Sequence, residues 1–148
     1  MSTPSFIEDH VSQIPAIQML INMGFEYVSP TKALELRGGK TTHVLFDDVL
    51  RNQLKKINTI ERKGKLYEFS DSNISSAIVA IKDLPIQDGF MIANAALYDL
   101  LTLGKAFQQT IENDIKSYTI NYIDWQNIEN NKFQVTEELS VMRTGRTE

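Results

Sequence analysis

The residues of this chain that could do chemistry fall into a few short groups. Glu8-Asp9-His10 places two carboxylates and an imidazole together near the N-terminus, a set able to hold a cation or move a proton. The plainer reading is a first helical turn whose acids the helix dipole favours, and His10 has no partner that the sequence identifies. Gly38-Gly39-Lys40-Thr41 has the tail of a phosphate-binding loop. The glycine that should precede the Gly-Lys pair with four residues between falls at Leu34, so an ordinary turn fits better. His43 stands alone ahead of an apolar segment, with no Ser or Asp fixed beside it for nucleophilic catalysis. Asp47-Asp48 reads as a solvated helix face. Glu137-Glu138, adjacent on an expected strand, should point to opposite faces and so cannot share one metal. Arg143 and Arg146 could touch phosphate.

The elements that must position these groups begin with a helix over Phe6 to Met23. Apolar residues recur there at three- and four-residue steps, Ser5 is an N-cap with Glu8 at the capping-box position, and Pro15 should kink the helix or divide it. Gly24 ends it, a short strand follows at Phe25 to Val28, and Leu34 to Lys40 reads as a glycine-containing connection. Val44 to Ile60 gives a second helix with Thr42 as its cap, broken off at Lys63-Gly64-Lys65. Ile74, Ala77, Ile78 and Ile81 mark a third, capped by one of Ser70, Asp71 or Ser72 and stopped by Pro85. The fourth runs from Asp88 to Leu103, with Leu97, Leu100 and Leu101 expected to be buried, and Gly104 closes it. Beyond it the period changes. Phe107 and Ile111 flank a polar turn at Glu112-Asn113-Asp114, and Ser117 to Ile123 reads as a strand of an antiparallel hairpin. A last strand is expected over Phe133 to Met142, in one sheet with the hairpin and with the first helix packed on it.

At 148 residues the chain is expected to make a single domain. Without cysteine it can hold neither disulfides nor thiolate metal sites. No run of 18 apolar residues and no signal-peptide pattern is present, so no membrane span is expected and the cytoplasm is the default location. Fifteen basic against 19 acidic residues, net −4, give no global attraction for nucleic acid, because non-specific affinity comes from neutralised phosphates. The order of elements, with helices in the middle and strands at the end, points to an α+β fold.

Three phrases in order carry a resemblance: YDLLTLGKAFQQTI, then KSYTINYIDW, then NNKFQVTEELSVMRTGR. With them the chain, from Phe6-Ile7-Glu8 to Arg146, resembles the N-terminal region of type I restriction enzyme R subunits, the motor and nuclease chains of DNA restriction complexes. The resemblance implies a restriction-endonuclease-like mixed core, incomplete here, with a helical insertion over about residues 43–103. It matches Glu8 to the helix carboxylate near the nuclease metal site. It places the remaining metal-binding Asp and the Glu-x-Lys hairpin beyond Glu148, so the fragment is expected to hold no metal or cofactor and to be catalytically incomplete. Glu61-Arg62-Lys63 matches Glu-x-Lys in letters but falls at an expected polar helix end. For the parent chain the resemblance implies Mg²⁺-dependent DNA cleavage, ATP-driven translocation, and modification and specificity subunits as partners. An uncovered sheet edge could also pair two copies of the fragment as a homodimer. The rival expectation is a non-enzymatic interaction domain whose helical middle, Val44 to Leu84, docks another subunit.

Overall fold

The computed structural model describes residues 12–143. The chain is a mixed α+β protein of helices and short two-stranded sheets. Its contacts group it into two compact units: residues 1–46 with 132–148, and residues 47–131.

In the first unit, α1 spans Ile14–Asn22 with Pro15 in its first turn. Ser12 and Gln13 just before it are π-helical, so the proline falls where one helical geometry gives way to the other. The portion of the expected helix before residue 12, with Ser5 and Glu8, lies outside the described residues. The chain turns at Gly24 into β1, Glu26–Tyr27. Where a loose connection was expected, a short helix α2 forms over Pro30–Leu36. Ser29 caps it by accepting from the Lys32 amide, and Pro30 presets the first helical φ. Near the far end of the sequence β6, Gln134–Val135, pairs in parallel with β1. The strand expected over Phe133 to Met142 thus shrinks to two residues and shares no sheet with the hairpin over residues 105–120. Glu138 explains part of this, since its φ of 46° bends the chain out of extended geometry. Likewise the sheet on which α1 sits is this parallel pair, where an antiparallel sheet was expected.

The second unit opens with α3, Asp47–Ile57, shorter than the expected 44–60 and without Thr42 as its cap. Asp47 and Asp48 occupy its first turn and Lys55 and Lys56 its last, the arrangement the helix dipole favours. A hairpin the sequence reading lacked comes next, β2 (Thr59–Arg62) and β3 (Lys65–Glu68), so Glu61-Arg62-Lys63 ends a strand and is no helix end. Lys63 and Gly64, both at positive φ, form its two-residue turn. Helix α4, Asp71–Lys82, is capped by Ser70, which accepts from the Asn73 amide at 3.2 Å. Helix α5 runs Phe90–Leu103. Leu97, Leu100 and Leu101 are half-buried where full burial was expected, and only Ala93 on this helix is fully enclosed. The reason is that α5 lies across the core's edge: Leu100 and Leu101 touch the core, while its N-terminal turns do not.

The hairpin β4 (Lys105–Ile111) and β5 (Asp114–Ile120) pairs in full antiparallel register, Phe107 opposite Tyr118. Glu112 and Asn113 supply two positive φ angles for its turn. Arg62 ties the two hairpin ends together, donating to Ile111 O at 2.8 Å and to Asp114 Oδ2 at 2.9 Å. Beside it Tyr67 and Lys63 donate to Glu112, and those bonds hold the Glu112 carboxyl below its usual range. The core of the unit is Leu54, Ile60, Phe69, Ile74, Ala77, Ile78, Ile111, Ile120 and Tyr122.

Tyr122 carries a hydroxyl into that core and donates it to Ala77 O at 2.6 Å. Burial pushes its pKa up to about 12, from 10.0. The neutral form is the one the fold holds. Its contribution to stability is therefore complete below pH 10 and is lost as pH rises from 10 through 12. We expect the urea midpoint of the native chain to fall steeply across that window. Tyr122→Phe should lose about 1 kcal/mol at pH 7 with its hydrogen bond, yet decline less between pH 10 and 12. Parallel declines in the two proteins would show that Tyr122 does not couple ionisation to folding.

Candidate functional site

Glu8, Asp9, His10 and Arg146 lie outside the described residues. The others are scattered. Gly38-Gly39-Lys40-Thr41 follows the C-terminus of α2, where carbonyl oxygens point outward. Phosphate is favoured at the opposite, N-terminal end of a helix, so this turn does not suit a nucleotide phosphate. His43 offers its backbone carbonyl to Arg37 Nη1 at 3.2 Å, while Asp47 pairs with Lys82. Arg143 is exposed at the end of the described chain.

Glu137 is the acid of the expected set with two close partners among the described residues. Tyr27 donates its hydroxyl to Oε1 at 2.7 Å, and Gln13 donates through Nε2 to Oε2 at 3.1 Å. The carboxylate in turn raises the Tyr27 pKa, chiefly through that hydrogen bond. Both Glu137 oxygens are therefore engaged, and Glu138 is exposed after the bend. Among the described residues no group of three or more acids or histidines could hold a metal ion. Mg²⁺ needs a near-octahedral shell of oxygens, which Glu137 in this setting does not supply.

Close by in this unit lies a buried guanidinium. Arg37, 4% exposed, caps α2 and donates through Nη1 to His43 O and, at 2.8 Å, to Ser140 O. A further backbone bond, Met142 N to Thr41 O, runs alongside. These contacts hold residues 140–142 against the turn after α2.

The second unit contains a cleft of about 450 Å³, a size suited to a small ligand. Ile57, Ile123 and Trp125 give its apolar wall. Thr102, Asn121, Asp124, Gln126 and Asn127 give the polar one. Sequence reasoning passed over this region, although Asp-Trp-Gln-Asn directly after the last long strand put an aromatic among amides.

Three local devices build the cleft. Gly104, at φ 72°, lets the chain pass so close that a Cβ there would stand 2.4 Å from Ile120 O and 2.9 Å from Asn121 Oδ1. Asn58, buried, uses its side chain as a strand edge: Oδ1 accepts from Asn121 N at 2.7 Å and Nδ2 donates to Asn121 O at 2.8 Å. Asp124 organises the loop, accepting from Asn130 Nδ2 and from the amides of Asn127 and Gln126. Those bonds, Asn130's first, hold its carboxyl below the usual range, so it remains ionised at neutral pH. Trp125 is 56% exposed, yet its Nε1 donates to Leu101 O at 2.9 Å, which fixes the indole.

Comparison with known families decides the wider identity. The sequence model of the family described as type I restriction enzyme R protein N terminus matches residues 5–148. The chain belongs to this family. No curated protein and no solved structure matches it. For an R-protein N-terminal region, the fold described here is the expected α+β type, and the family implies a multi-subunit complex. No helix among the described residues is long and apolar enough to cross a membrane.

Because Asn58 fixes both backbone groups of Asn121, its loss should be felt in the cleft as well as in stability. Asn58→Ala is expected to cost about 1–3 kcal/mol, the penalty of leaving buried partners unpaired. Urea denaturation measures that cost, and a midpoint equal to the native one would show that these bonds are not needed.

Proposed function

We propose that this chain is the opening part of the nuclease domain of a type I restriction R subunit, acting in the cytoplasm. Glu8 is its helix carboxylate, and the other metal ligands come from residues outside these 148. The reading is carried by family membership over residues 5–148. The first unit supports it through one arrangement. Gln13 at the head of α1 is bonded to Glu137, just past β6. Glu8 precedes Gln13 by a tether of no more than roughly 18 Å, so it is within reach of the segment that leads away from β6. In the parent, Mg²⁺ bound at such a site would polarise the phosphodiester and activate water, ATP would drive translocation, and sequence choice would rest with a partner subunit. DNA would be its substrate.

A plasmid-nicking assay with Mg²⁺ tests this, comparing residues 1–148 with a form extended through the natural downstream sequence. The extended form should nick and lose at least about 100-fold of its rate on Glu8→Ala, whereas the short form should leave the plasmid intact. Cleavage by the short form that vanishes on Glu8→Ala would put the whole active centre inside these 148 residues and sink the placement.

A second reading, a docking surface for the modification and specificity subunits, is favoured by α5 of the second unit. Phe90 and Met91 on it are 78% and 88% exposed, and Tyr98, on the same side of the helix, is largely exposed too. Monomeric proteins seldom leave so much apolar surface together without use. The face lies outside the 44–84 stretch expected from sequence to dock a partner. Phe90→Asp with Met91→Asp should abolish assembly with the two subunits in size-exclusion chromatography while leaving circular dichroism unchanged. Intact assembly would refute the docking role. Concentration-dependent light scattering of the isolated chain, lost in the same variant, would assign the face to a homodimer instead.

A further inference from the structure

The cleft of the second unit pairs a fixed, half-exposed indole with side-chain amides that have nothing to bond. Asn121, Gln126 and Asn127 each line it, and among the described residues none of their carboxamides makes a hydrogen bond. Each carboxamide offers both a donor and an acceptor. An aromatic face beside such groups suits a flat ring with alternating donors and acceptors on its edge. Two ligand chemistries have a stackable face, a sugar and a nucleobase. The Asp124 carboxylate decides between them. A sugar site would use that carboxylate on neighbouring hydroxyls, but here its oxygens are committed to Asn130, Asn127 and Gln126. What remains free is amide, and amides match base edges.

Two cations neighbour lining residues along the chain or in the hairpin ladder. Lys56 precedes the lining residue Ile57 in the chain, and its Nζ donates to Asn130 O at 3.0 Å. Lys105 stands opposite Ile120 in the hairpin register, one position from Asn121. Neither has a carboxylate partner among the described residues. A nucleotide's phosphate needs such charges, and they are present locally although the whole chain is net −4.

We propose that this cleft binds an unpaired nucleobase, stacked on Trp125 and hydrogen-bonded along its edge by Asn121, Gln126 and Asn127, with Lys56 and Lys105 meeting its phosphate. The base must be free of a duplex, because a paired and stacked base exposes neither face nor Watson–Crick edge. Stacking on one platform tolerates any base, so preference among the four should be weak. The proposal does not depend on Glu8 or on nuclease activity.

The chain contains a single tryptophan, so its fluorescence reports this cleft alone. The 148-residue protein is titrated, with excitation at the red edge, by oligothymidylate and separately by thymidine monophosphate. Saturable quenching is expected with both. Binding at least about tenfold tighter for the oligonucleotide would identify single-stranded nucleic acid as the source, and equal affinities a free nucleotide. Gln126→Ala with Asn127→Ala, exposed loop positions, should weaken binding by roughly tenfold. Trp125→Ala, followed by anisotropy of a labelled oligonucleotide, should weaken it by about fivefold to 100-fold, while Trp125→Phe should retain most of it. Lys105→Ala should lower the salt dependence of oligonucleotide binding by about one unit of slope, and Lys65→Ala on the other hairpin should not. Absence of saturable quenching up to millimolar ligand overturns the proposal. Quenching that the amide variants leave unchanged overturns it too, as does quenching by a methyl pyranoside in place of the nucleotide.

Discussion

The second unit depends on the side chain of Asn58. It sits just past α3, buried, and closes three hydrogen bonds: to Leu54 O at the helix end and to both backbone groups of Asn121. Leu54 O takes this bond beside the Asn58 amide, and Asn121, just beyond β5, has no strand beside it among the described residues. One carboxamide serves both places. Because it mimics a strand edge, it sets the height of Asn121 against α3, and so the floor of the cleft. Gly104 makes the same approach possible from the other side, since any side chain there would collide with Ile120 O.

The first unit is held differently. Among its described residues Val28 and Ala33 are buried, Phe25 and Phe133 lie ring to ring at 5.2 Å, and α1 has no fully buried residue. Polar ties do much of the joining. Arg37 donates to two backbone carbonyls, Glu137 gathers Tyr27 and Gln13, and Lys132 pairs with Glu26 at 3.1 Å. The Nε of Arg37 and the hydroxyl of Thr136 are buried with no partner in the structure. Among the described residues the guanidinium is answered by carbonyl dipoles, and burying a charge so is costly.

Where the sequence pattern was long, it was readable. The change of period after Gly104 located the β4–β5 hairpin, and Ser70 among three candidates is the cap of α4. Short elements escaped. TIER and KLYE are four residues each, too brief for alternation to stand out, and only the Lys63-Gly64 turn between them marked the hairpin. Helix α2 was hidden by the glycines that follow it. Burial was misjudged in α5 because its apolar residues surround much of the helix, whereas the core touches one side. The cleft was illegible for another reason. Its residues come from the end of α3, from α5 and from the 121–127 segment, and no spacing in one stretch of chain brings them together. Of the described acids singled out by type, Asp47 pairs with Lys82, and Glu137 gained two partners more than a hundred positions away.

The pairing of β1 with β6 also bears on the order in which the chain acquires its structure. Glu26 meets Gln134 only after everything between them has been made. The second unit, by contrast, is one continuous stretch whose pairings are mostly between successive elements, the kind that form quickly. Within it Gln53 and Lys56, in the later turns of α3, hold Asn130, while the unit begins in the first turn of the same helix. Once folded, it therefore presents its two chain ends on the same helix and shortens the effective loop that β1 and β6 must close. On a ribosome, the first unit would wait as an open N-terminal segment until residues past 131 emerge, with the second unit acting as the clasp that brings them back.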